Sequence, residues 1–401
     1  MKRRTFMQIG AAGGAAAAIG LKTASGIARS SDTEFALTIS PANTELIDGT
    51  WVYVLAYFLG SNRPSPEIRV TEGEEISITV TNKDKQVHGF AIPGIPPATI
   101  PAIEPGATAH VVFKAPWAGS FLYVDPYKEP LNRILGLHGA FIVEAKEGKT
   151  PLGSETPYSG PKQTPQVQAL FDALGGGDPR FPGDQWRRND LRRDKLWLFS
   201  QTDPALNARV AAGEMVDPAK VKANFVPRYF TINGLSGYDT AIHEGSHSDD
   251  DDDDDWDDRD DDDRDSNDLI DDDNPAGRIM PSGKEGEPCL VRTMNAGLAT
   301  HSVHIHGNHC FILSGVDSEY RNECALYCFE RDTWQLGPMQ RIDVLLPFKR
   351  PPDIPLSAWP PKDEPFPLRY VMHCHFELSQ TAGGGNYPQG AVTHWEMTAP
   401  L

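Results

Sequence analysis

Apolar residues recur along the chain in short runs, many of them alternating with polar positions, and not in helical repeats. Between residues 34 and 144 such strand-like runs occupy 35–39, 51–58, 67–70, 75–82, 109–113, 120–124 and 140–143, separated by turn signals such as Asp48-Gly49, Glu72-Gly73 and Pro105-Gly106. Short strands at this spacing predict a β-sandwich of roughly one hundred residues. The pattern resumes at 195–201, 228–233, 290–295, 304–314, 341–346, 368–373 and 391–397, which predicts a second sandwich running to the C-terminus. Between the two, residues 147–193 are rich in Pro, Gly and polar residues, with one short helical stretch near 167–174, and read as an inter-domain connection. The expected organisation is all-β: two sandwich domains, at 33–146 and 194–401, joined by a linker.

Composition sharpens this picture. A length of 401 residues allows two or three domains, and 36 Gly with 34 Pro favours loops and short strands over a helical bundle. The formal charge of −19 is local: residues 249–273 hold 18 Asp against Arg259 and Arg264, a net −16 that leaves −3 for the rest. A nearly neutral body with one acidic segment has no basic patch for a phosphate backbone, so nucleic acid is not an expected partner. The acidic stretch, 246–274, reads as a low-complexity solvated insertion in the second domain.

The chain opens Met1-Lys2-Arg3-Arg4-Thr5-Phe6-Met7, continues with an Ala/Gly-rich apolar run over 9–21, and has small residues at 24–28. This order reads as a twin-arginine export signal over residues 1–30, cleaved and not anchored, because the run is too short to span a bilayer. No later stretch reaches the ~18 uninterrupted apolar residues of a membrane span. A periplasmic or extracellular protein is expected. Export in the folded state also favours a protein that carries a cofactor.

Seven of the twelve histidines lie between His301 and His394. In His301-Ser302-Val303-His304-Ile305-His306-Gly307, His304 and His306 are two apart and project from one face of a strand, while His301 falls out of phase with them. In His373-Cys374-His375 the same alternation puts two imidazoles on one side and the thiol on the other. A thiolate with imidazoles is a donor set of blue copper sites, and imidazoles alone suit copper that meets oxygen.

These two motifs resemble the C-terminal copper motifs of multicopper oxidases, the laccase-like family of cupredoxin sandwiches. Residues 67–82, 135–144, 228–234, 290–297 and 341–345 are similar to other family segments. Two sandwiches in place of three resemble the two-domain branch, whose architecture is shared with nitrite reductases. The resemblance implies two Greek-key cupredoxin-like domains, bound copper, a small-molecule or metal-ion electron donor, dioxygen as acceptor, and a homotrimer. It makes His301 and Cys374 type 1 copper ligands. His304, His306, His373 and His375 become ligands of a type 2/type 3 cluster, with His88 as the surviving ligand of the first domain.

The sequence also departs from the family pattern. The first domain reads Gln86-Val87-His88-Gly89 and Leu122-Tyr123-Val124-Asp125-Pro126 where the family carries paired histidines, so three of four ligands are missing. Ser379 stands where a second type 1 histidine belongs, and Gly383-Gly384-Gly385 replaces the axial methionine region. His394 and Met397 fall in a strand, and His110 and His138 read as structural or surface histidines. A reduced or altered copper complement is therefore expected. Three readings remain open: an exported copper oxidoreductase, a copper-binding tolerance protein without turnover, and a copper-free envelope scaffold. Cys289, Cys310, Cys324 and Cys328 are an even number, which allows two disulfides, or a soft metal site at Cys324 and Cys328.

Overall fold

The computed structural model describes residues 27–28, 33–60, 63–241, 275–351, 354–359 and 365–401. The export signal read over 1–30, apart from the strand Ile27–Ala28, and the acidic insertion 246–274 lie outside the described residues.

Two β-sandwiches follow one another. In the first, a five-stranded sheet runs in the order Arg63–Pro64, Trp51–Leu59, Glu34–Glu45, Glu75–Asn82, Thr108–Lys114. It faces a six-stranded sheet ordered Ile27–Ala28, Glu67–Thr71, His138–Glu144, Gly119–Val124, His88–Ala91, Thr99–Ile103. Alternation along Glu75–Asn82 sends Ile76, Ile78 and Val80 inward, where they meet Ile68, Val70, Phe121 and Phe141. Parallel pairing of Glu34–Glu45 with Glu75–Asn82, beside antiparallel pairing with Trp51–Leu59, gives the crossed connections of a Greek key.

The second sandwich repeats the plan. Its six-stranded sheet is ordered Tyr229–Ile232, Asp194–Thr202, Cys289–Asn295, Arg341–Leu346, Cys310–Ile312, Glu330–Arg331. The facing five-stranded sheet is ordered Ser282–Gly283, Val392–Met397, Leu368–Cys374, His301–Ile305, Thr333–Leu336. Trp197, Phe199, Trp334, Met372 and Trp395 fill the space between them. The single strand expected over 304–314 is two strands in different sheets, His301–Ile305 and Cys310–Ile312. The chain turns at Gly307, whose φ of +72° favours glycine and where a Cβ would strike the Tyr370 ring.

Segment 147–193 carries a small core of its own. Thr164 caps a helix at Pro165–Ala173, accepting the Val167 N–H at 3.3 Å, with Pro165 in the first turn. Val167, Leu170, Phe171 and Trp186 pack on Leu290, Phe311 and Leu345 of the second sandwich. Two further helices, Pro204–Ala211 and Pro218–Asn224, begin at Asp203 and Asp217 caps. They place Leu206 and Val221 in the core of the first sandwich, so the second domain helps to close the first.

The six-stranded sheets of the two domains also pack on each other, with Leu122, Val124, Ala140 and Ile142 against Leu196, Leu198, Met294 and Ala296. Beside this apolar layer lies a buried ion network. Asp194 accepts from Arg69 at 3.0 Å and from Arg292 at 2.9 Å, and Glu67 accepts from Arg69 at 2.6 Å and from Arg278 at 2.9 Å. All five cysteines are free, so Cys289, Cys310, Cys324 and Cys328 do not form the two disulfides that four cysteines allow. Among the described residues no helix is long and apolar enough to cross a membrane.

Candidate metal centre

Register decides which histidines meet. His301–Ile305 pairs antiparallel with Leu368–Cys374, setting His304 opposite His373 and Val303 opposite Cys374. Inward positions on these strands are His301, Val303, Ile305, Tyr370, Met372 and Cys374; His304 and His373 point the other way. As the spacing predicted, the thiol of His373-Cys374-His375 lies on the face opposite its neighbouring imidazoles.

On the outer face four imidazoles converge. The potential ligand atoms of His304, His373 and His375 all lie within 4.8 Å of one another. His306 joins them, its Nε2 3.1 Å from His373 Nε2 and its ring centroid 4.8 Å from that of His304. The backbone sets the tautomers. His304 Nδ1 donates to the Asp332 carbonyl at 2.9 Å and His373 Nδ1 to the Cys374 carbonyl at 3.3 Å, which leaves both Nε2 lone pairs directed away from the chain. Partial burial, followed by the neighbouring imidazoles, holds His304, His306 and His373 below the ordinary imidazole value. The rings are therefore neutral and able to donate lone pairs at neutral pH. Trp395 Nε1–H fixes the turn that carries His306 by donating to its carbonyl at 2.8 Å. Neutral imidazoles, oriented by backbone carbonyls and half open to solvent, fit a copper or zinc ion.

The inner face is different. Cys374 is buried, and its Sγ accepts the Ser302 N–H at 3.3 Å. His301 is buried against the Phe199 ring, and burial pushes its imidazole down to about 4. Its Nε2 contacts the Gln201 amide, and its Nδ1 has no hydrogen-bond partner. Ser379 is buried in the one-turn helix Glu377–Gln380 with its hydroxyl donated to the Phe376 carbonyl at 2.6 Å. His394 and Met397 sit on the strand Val392–Met397, paired with Val371 and Leu368, and Met397 belongs to the core.

His88 does not join the outer four. It is buried in the first sandwich with Nδ1 2.8 Å from Asp125 and Nε2 3.0 Å from Asp84. Burial favours the neutral ring, but the two carboxylates outweigh it and raise the pKa, and an acceptor faces each nitrogen. A ring held in this way has neither nitrogen free for a metal, which corrects the ligand role expected of His88. Asp125 is itself fixed by N–H groups of Gly89 at 2.8 Å and Tyr127 at 2.7 Å. His138 is tied through Nδ1 to the Arg133 carbonyl and His110 is exposed, the structural and surface settings expected of them. Among the described residues the outer imidazoles form the only metal-holding group of three or more; Cys324 and Cys328 are in none.

Gln201 and Asp332 were not anticipated as site residues. One signal for Gln201 was available, a polar residue continuing the inward apolar series Trp197 and Phe199 on its strand.

Residues 56–148 match the multicopper oxidase family by sequence. No curated protein sequence matches the chain. Among solved structures it is similar to a blue copper oxidase from Nitrosomonas europaea, at 20% identity over 91% of this chain and 85% of that one, TM-score 0.58. The multicopper oxidase mgLAC aligns at 19% identity over 91% and 86%, TM-score 0.56. A copper nitrite reductase from Nitrosomonas europaea aligns at 14% identity over 91% and 93%, TM-score 0.53. These likenesses establish the two-domain cupredoxin fold.

Proposed function

We propose that this chain, multicopper-oxidase-like in sequence over 56–148 and cupredoxin-like in both domains, is an exported copper-binding oxidoreductase with a reduced copper complement. The metal is held on the outer face of the second sandwich by His304, His306, His373 and His375. One observation carries this reading: the Nε2 atoms of His304 and His373 are presented outward because backbone carbonyls take their Nδ1 protons. When bound, copper would supply one-electron chemistry. His306 and His375 are exposed, so a small donor or oxidant can reach the centre without a channel. The basic pair Arg3-Arg4 and the apolar run after it support export.

A second reading, copper holding without turnover, is favoured by the one-sidedness of the centre. His88, the one histidine the first domain keeps from the family's paired positions, is engaged by Asp84 and Asp125. A neighbouring copy in the trimer that the family resemblance implies could also close the open face.

Copper analysis and electron paramagnetic resonance on the exported protein test the reading. One or two coppers per chain are expected, with the spectrum of imidazole-bound Cu²⁺. The double substitution His304→Ala with His373→Ala should weaken copper binding by at least about a hundredfold, above the ~10–100-fold seen when only outer supports are removed. A protein that binds no copper, or a double variant that binds it as tightly as the parent, would sink the proposal. Oxygen uptake with a phenolic donor separates the oxidoreductase from the holding protein, and light scattering in solution reads the oligomeric state.

A further inference from the structure

His301 is wholly buried, and only one of its ring nitrogens has a protein partner. That partner is Gln201, whose Nε2 lies 2.7 Å from His301 Nε2. The Gln201 amide has one favourable orientation. Its Oε1 accepts two backbone N–H groups, from Leu298 at 2.7 Å and Ala299 at 3.1 Å, so the NH₂ end faces the ring. Turning the amide over would set its NH₂ against both backbone donors, losing two hydrogen bonds and only reversing the one to the ring. A donor that faces Nε2 requires a lone pair there, and the proton of the neutral ring then resides on Nδ1. The loop is shaped for this contact: residue 297 is glycine, and a Cβ at that position would run into the Gln201 amide.

We propose that Gln201 is a positioning residue that commits both nitrogens of His301 to non-metal roles and keeps the inner level of the second sandwich, His301 and Cys374, free of copper. Nε2 is occupied by the amide, and Nδ1 carries a proton and has no lone pair to give. Binding a metal at Nδ1 would move the proton to Nε2 and bring two N–H donors to 2.7 Å. The inner level is also short of donors. The Ser379 hydroxyl, where a second imidazole would be needed, is donated to the Phe376 carbonyl. The single buried N–H left without an acceptor at Nδ1 is the smaller loss beside the alternatives. This inference goes beyond the copper reading of the outer face and stands or falls separately from it.

The test uses metal-free protein labelled with ¹⁵N-histidine and long-range ¹H–¹⁵N spectra, which report which ring nitrogen bears the proton. His301 is expected in the Nδ1–H form. In Gln201→Glu it should switch to Nε2–H, because a carboxylate retains both backbone hydrogen bonds and also accepts from the ring; this switch identifies the signal. An Nε2–H ring in the unaltered chain overturns the proposal. Should Q201E fail to fold, a copper-soaked crystal of the unaltered chain recorded at the copper absorption edge decides the matter. No copper peak is expected within bonding distance of His301, whether or not the outer face is filled. A copper atom bonded to His301 Nδ1, or an intense blue absorption that disappears in C374S, overturns it.

Discussion

Carboxylates facing an imidazole raise its pKa and desolvation without them lowers it, and this chain contains both cases. His138 has no acidic partner, and burial pushes it down to about 4, against only the Arg133 carbonyl at Nδ1. Between pH 6.5 and about 4 the unfolded chain therefore binds a proton at this position that the folded chain refuses, so stability falls as pH drops through that window. The loss attributable to His138 reaches about 3 kcal/mol at most. Urea unfolding of the parent and of His138→Gln across this range should show a shallower decline in the variant; equal slopes would refute the assignment. His88 contributes in the opposite sense. Its raised pKa gives stability that is fully present below the ordinary imidazole value and fades as pH climbs through the folded value. Residue spacing alone exposed His304, His306, His373 and His375, because period-two alternation is a local property. The environments of His88 and Gln201 were not legible in this way. Each depends on partners brought in by folding, Asp125 from a neighbouring strand and the Leu298–Ala299 backbone nearly a hundred residues from Gln201.

At the scale of the element, the centre depends on one turn and one register. His304 lies in the strand His301–Ile305 and His306 just past its end, where Gly307 turns the chain with a φ of +72° against the Tyr370 ring. Gly307→Ala imposes a left-handed backbone on an L-residue and a clash with that ring. A loss of about 1–3 kcal/mol is expected from the backbone alone. Because the same turn aims His306, copper affinity should fall along with melting temperature. A variant that melts lower yet binds copper as tightly as the parent would show that the turn does not orient the imidazoles. The strand-like reading of 304–314 concealed this break, since a glycine inside a strand-like pattern signals a bulge as readily as a change of sheet. The helices Pro204–Ala211 and Pro218–Asn224 were hidden for another reason. Their Asp-Pro starts are recognisable caps, but eight and seven residues are too few to display a helical period.

For the whole molecule the decisive feature is the surface between the two sandwiches. Sequence composition marked 147–193 as a connection, and nothing local revealed that Val167, Phe171 and Trp186 anchor it to the second domain. Nor did any local pattern mark Glu67, Arg69, Asp194, Arg278 and Arg292 as one network, because they come from three separated strands and a one-turn helix. Strand alternation does explain why Gly119–Val124 is apolar on both faces of its sheet: Phe121 and Tyr123 look into the first core, and Leu122 and Val124 onto the second domain.

That surface predicts how the protein unfolds. Separating the domains would expose the layer of Leu122, Ile142, Leu198 and Met294 and would strip Asp194 from Arg69 and Arg292. It would also withdraw Leu206 and Val221, which follow the first strand of the second domain, from the first core. The first sandwich would lose part of its core and both would bare the shared layer, so calorimetry should show one cooperative transition in place of two. The charges of Arg292 and Arg69 overcome burial and hold the Asp194 carboxyl well below its usual range, so this coupling persists into mild acid. Asp194→Ala removes the shared acceptor and leaves Arg292 buried without its principal carboxylate. A loss of about 3–5 kcal/mol is expected, and the single transition should split as the domains lose their common anchor. Two well-separated transitions in the parent protein would show instead that the sandwiches are independent. In that case the outer imidazoles would owe their geometry to the second domain alone.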